Sequence, residues 1–131
     1  MRFTIQSISC IVLALVAAAS GCNSASGPSC NVAYARAAGG MGKSCATPDP
    51  ASAATIGASD FAALCATYMG IIDTGAPCSE DGVLGTCISP APLSDGTMAT
   101  FEVYYYSTDG VTADEAKATC EMGGAGKWTP A

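Results

Sequence analysis

Apolar and polar positions fall into three regimes along the chain. From Ile8 to Ala19 the run "ISCIVLALVAAA" is almost wholly apolar. That is well short of the roughly 20 residues a membrane-crossing helix needs, and it matches the apolar core of a secretory signal. From Cys30 to Gly57 the chain is rich in Ala, Gly, Ser and Pro, with only Val32, Tyr34, Met41 and Ile56 as bulky apolar residues. Here "NVAYARAA" predicts a short helix and the rest a loop. From Ser59 onward the pattern becomes periodic. Ser59 is placed as an N-cap, Phe61, Leu64, Cys65 and Tyr68 share one helical face, and Gly70 ends the helix.

Two alternating stretches follow. "GVLGTCIS" puts Val83, Gly85 and Cys87 on one face. "TMATFEVYYYS" puts Phe101, Val103 and Tyr105 on one face and Glu102, Tyr104 and Tyr106 on the other, so the two predict an antiparallel hairpin around "SDGT". In "VTADEAKATCEMGG", Thr112 and Glu115 form a capping box and Val111 is placed to staple against Ala116. Cys120 lies on the Ala113/Ala116 face, and Gly123-Gly124 end the helix. The expected fold class is α+β: a small disulfide-stapled domain with a two-stranded antiparallel hairpin and two short helices, with Trp128 closing the core as a lid.

The first apolar run ends in Ala19-Ser20-Gly21-Cys22. This motif resembles the lipobox of bacterial lipoproteins, with Ala19 where that family most often has Leu. The resemblance implies cleavage between Gly21 and Cys22 and acylation of the Cys22 thiol. The chain then divides into a signal peptide (1–21), a lipid-anchored tether (22–29) and a single cysteine-rich domain (30–131). A buried methylene is worth about 0.8 kcal/mol and one chain anchors only marginally, so the diacylglyceryl and palmitate-type chains together hold such a protein to a membrane without crossing it. Asn23, where an inner-membrane protein of the enteric type carries Asp, leans toward the outer membrane of the envelope. The stretch Gly85 to Trp128 also looks like a unit of small, uncharacterised envelope lipoproteins, which implies location and framework but no activity. The alternative is a plain signal peptide and a secreted, soluble disulfide-rich ligand or inhibitor domain, with Cys22 in a bridge.

With Cys10 in the signal and Cys22 acylated, Cys30, Cys45, Cys65, Cys78, Cys87 and Cys120 remain. An even number of cysteines in a small exported domain reads as disulfides, here three. Fifteen pairings are open. A preference for sequence neighbours favours Cys30 with Cys45, Cys65 with Cys78, and Cys87 with Cys120. No C-x-x-C spacing and no His occurs, so no metal site is expected.

Charge and chemistry narrow the function classes further. Four basic residues follow the signal (Arg36, Lys43, Lys117 and Lys127) against eleven acidic ones, and they are scattered, which argues against nucleic acid as a partner. "AAGGMGKS" (37–44) approaches a phosphate-binding loop but has Ala37 at the first Gly position, and it is read as a Gly-rich loop. Without His, Ser-His and Cys-His catalysis are excluded. Only carboxylate pairs such as Glu80-Asp81 or Glu102 with Asp109 remain for acid–base work. No enzyme activity and no cofactor are therefore expected. Tyr104 and Tyr106, with Trp128, are the candidate contact residues, since exposed aromatics stack on glycan or grip a partner protein.

Overall fold

The computed structural model describes residues 27–122 and 124–131. The apolar run, Cys10, the Ala19–Cys22 motif and Gly123 lie outside them. Strands β1 (Ser29–Ala35), β2 (Met41–Pro48), β3 (Ile71–Asp73), β4 (Val83–Pro92), β5 (Met98–Tyr106) and β6 (Lys127–Pro130) form one antiparallel sheet in the order β3-β1-β2-β5-β4-β6. The expected two-stranded hairpin is thus corrected to six strands. The region read as helix and loop supplies two of the additional strands. Its alanines favour a helix by propensity, yet Cys30, Val32 and Tyr34 alternate with Asn31, Ala33 and Ala35, and burial of the first set decides for a strand. The turn between β1 and β2 uses Gly39 and Gly40 at positive φ, so the stretch resembling a phosphate-binding loop is a hairpin turn and the start of a strand.

One row of the register crosses all six strands: Ile72, Cys30, Ala46, Val103, Cys87 and Trp128. Their side chains share one face, because facing residues on neighbouring strands point the same way. That face carries the core. Phe61, Ala91, Ala99 and Phe101 cluster with Cys30 and Cys65 at one side, and Tyr105, Val111 and Ala116 with Cys87 and Cys120 at the other. A bulge between Val83 and Gly85 sets Val83 opposite Tyr106, so Leu84, not Val83, packs inward near Gly85 and Cys87.

The helices α1 (Pro50–Ala53), α2 (Ala58–Thr67) and α3 (Ala113–Glu121) are short. Asp49 caps α1 by accepting from the Ser52 amide at 2.7 Å. Gly57 is the N-cap of α2, and Ser59 lies inside the helix. Beyond α2, Met69 takes the left-handed conformation at φ 54°, and the following Gly70 leaves room for the Cys30–Cys65 bridge, which a Cβ would strike. The start of α3 is as expected: the Glu115 amide donates to Thr112 Oγ1 at 3.3 Å, the Thr112 amide donates to the Glu115 carboxylate at 3.0 Å, and Val111 and Ala116 are buried together. Ala113 is exposed, which narrows the inward face to Ala116 and Cys120.

Three disulfides are present: Cys30–Cys65, Cys45–Cys78 and Cys87–Cys120. The last pairing is as expected and the first two are corrected. Cys45 lies opposite Asn31, one residue out of step with Cys30, so the two thiols leave opposite faces of the sheet despite sitting on neighbouring strands. Cys30 meets α2 on the covered face. Cys45 holds the loop after β3 against the other.

Candidate functional site

The bridges define a cleft. Cys30 tethers α2 and Cys87 tethers α3, three strand spacings apart on the same row, or about 14 Å. Helices pack against each other at 8–10 Å, so two helices pinned this far apart leave the middle of the sheet open. Ala46 and Val103 lie between the anchors and form part of the floor, joined by Val32, Phe101 and Tyr105. Leu64 of α2 and Tyr68 at its C-cap wall one side and Thr119 of α3 the other. The cavity holds about 250 Å³ and its lining is mostly apolar. That is just below the usual range of small-molecule pockets, roughly 300–1,000 Å³, and above the roughly 150 Å³ that accommodates benzene in an engineered apolar cavity.

The α3 side is fixed by polar contacts. Arg36, at the end of β1, donates to both Glu115 carboxylate oxygens at 3.1 and 3.2 Å and also to the carbonyls of Asp109 and Gly110. This fork joins the first hairpin to the start of α3. The Thr112 amide, and then Arg36, hold the Glu115 carboxyl below the usual carboxylate range. Tyr105 packs edge-on to Tyr34 and beside Trp128. Burial, with Tyr34 adding to it, pushes its hydroxyl up to about 12.

The three candidate contact aromatics do not make one surface. Trp128 belongs to the covered face: it lies opposite Cys87 and over Gly85, on an edge strand rather than as a lid. Tyr104 and Tyr106 stand on the opposite face, as the alternation predicts. Both are half-buried under the loop that Cys45–Cys78 pins down. The Tyr106 hydroxyl donates to the Ser79 carbonyl at 2.9 Å. Burial, and then the Glu102 and Glu80 carboxylates, raise the Tyr104 hydroxyl above its ordinary value.

Of the carboxylates considered for acid–base work, Glu80 and Asp81 are exposed on that loop, Glu102 is beside Tyr104, and Asp109 lies in the turn leading to α3. Among the described residues no group of three or more His, Cys, Asp or Glu could hold a metal ion. None of their helices is long and apolar enough to cross a membrane.

Sequence reasoning missed the cleft, because Val32 and Ala46 of its floor fall in the segment read as a short helix and loop, and Thr119 of its wall lies off the Ala113/Ala116/Cys120 face expected to pack inward. The alternation from Cys30 to Tyr34 was the available signal. No family model matches the chain, and no curated protein or solved structure matches it either.

Proposed function

We propose that this chain is an exported bacterial envelope lipoprotein, acylated at Cys22, whose cysteine-rich domain works by binding and not by catalysis. The observation that carries the reading is that the six cysteines from Cys30 to Cys120 are bonded only to one another. A closed set of three bridges suits an oxidising compartment and claims no thiol outside the domain, as acylation of Cys22 requires. The cleft between α2 and α3 gives the module its site. Its apolar floor and size suit a small apolar molecule or the apolar end of a larger one.

The first test is the intact mass of the protein taken from its own membrane. A mass of an acylated chain beginning at Cys22, with no alkylation before reduction and six alkyl groups after it, is the expected result. An unacylated mass moves the protein to the secreted, soluble alternative. For the cleft, the neutral dye Nile red should brighten and shift to the blue with the folded protein. Ala46→Leu, which fills the floor, should remove most of that response with little change in Tm. An undiminished response would place the apolar site elsewhere.

A further inference from the structure

Among the described residues, three of the six exposed large apolar side chains fall at the edge of the sheet around one turn. Tyr68, Met69 and Ile71 are 55 %, 90 % and 76 % exposed and lie within four residues of sequence at the turn between α2 and β3, whereas Met41, Met98 and Met122 each stand alone in sequence. The turn is fixed from behind, since Gly70 sits against the Cys30–Cys65 bridge and its amide donates to the Cys65 carbonyl at 2.8 Å. Met69 takes the left-handed region at this turn. Ile71, one residue out of step with Ile72, leaves the sheet on the face opposite α2, so Tyr68 and Ile71 flank the edge strand β3 on its two sides with Met69 at the tip of the turn between them.

The tip adjoins the start of the domain. Ile71 lies opposite Asn31 and Asp73 opposite Ser29. Two residues of strand and one interstrand step place Ile71 within about 10 Å of Ser29. Cys22 is seven residues before Ser29, a reach of about 25 Å at most even if fully extended. We propose that Tyr68, Met69 and Ile71 dock into the headgroup region of the membrane that holds Cys22, so that the domain rests on the bilayer by this tip. The inference rests on the acylation of Cys22. No Lys or Arg lies between Lys43 and Lys117 in sequence, and Asp73 is the nearest charge along the chain, so the contact is apolar and draws on no cationic attraction to the headgroups. A tyrosine beside two aliphatic side chains suits the boundary between headgroups and acyl chains.

The full-length acylated protein in vesicles of phosphatidylethanolamine and phosphatidylglycerol, with and without brominated acyl chains, tests this. Met69→Trp adds a second tryptophan to Trp128, which sits on β6 at the other end of the sheet. Brominated chains should quench at least half of the emission that Met69→Trp adds and leave that of the unsubstituted protein almost unchanged. Ile71→Asp in the same chain should reduce the quenching at least twofold without lowering Tm. Flotation with the vesicles but no quenching overturns the docking and leaves the anchor standing. Absence of flotation together with an unacylated mass overturns both. Concentration-dependent dimers that hide the tip from the brominated chains assign it to a second copy and also overturn the docking.

Discussion

At the scale of single residues, the alternation of side chains along β5 was legible, since Tyr105 between Tyr104 and Tyr106 had to point opposite to its neighbours and does so. Trp128 was not legible. A lone aromatic after a glycine-rich segment offers no period, and its place is set by Gly85 two strands from the sheet centre. The indole lies directly over that glycine, where a Cβ would meet both the ring and the Thr129 carbonyl. Gly85→Ala should therefore push Trp128 off its seat, lowering stability by roughly 1–3 kcal/mol, as overpacking does, and shifting tryptophan emission to the red. Unchanged emission and Tm would show that β6 gives way freely and that Trp128 is not held by this contact.

At the scale of elements, helices announced themselves through caps and periodic apolar residues, and α3 begins at Thr112 as its capping box dictates. β2 was hidden because small residues fill its covered face: Gly42, Ser44 and Ala46 carry little hydrophobic signal, yet small side chains such as Ser44 and Ala46 are what the floor of a cleft between two helices requires, while the alanines of β1 masked the alternation of Cys30, Val32 and Tyr34. The Arg36–Glu115 pair links these two kinds of element across 79 positions of sequence, a pairing no local pattern reveals. Because Glu115 is held below the ordinary carboxylate value, its contribution is complete at pH above that value, near 4.3 for a free glutamate, and is lost as pH falls through the lower value of the folded state. Acid titration of Tm should show a fall below about pH 4 that is shallower in Glu115→Gln. Equal acid limbs in the two proteins would show that the fork contributes nothing to folding.

At the scale of the whole molecule, the number of disulfides could be read from the cysteine count but their connectivity could not, because pairing depends on which face of the sheet each thiol leaves. The bridges span 35, 33 and 33 residues, and loops of that length correspond to about 4 kcal/mol each in the chain-entropy picture. Three such constraints are comparable to the entire stability of an ordinary domain, about 5–15 kcal/mol, so full reduction should unfold the protein, seen as loss of near-ultraviolet circular dichroism. Removal of single bridges should follow their placement. Cys45→Ala with Cys78→Ala frees a loop on the face opposite the cleft and should leave Nile red binding intact. Cys30→Ala with Cys65→Ala frees α2 and should abolish it. Binding retained without the Cys30–Cys65 bridge would mean that α2 keeps its place without its staple, and equal loss from both pairs would mean that the cleft also depends on the loop held by Cys45–Cys78.

The row Ile72, Cys30, Ala46, Val103, Cys87 and Trp128 has a consequence for how this architecture can diversify. The aperture of the cleft is set by which strands carry the two anchoring cysteines, so it can change only in increments of one strand, about 4.8 Å. Substitutions along the floor alter depth and shape continuously, while width moves like a gauge with fixed stops. A relative with a cysteine shifted from β1 to β2 would close the aperture to about 10 Å, and its helices would touch.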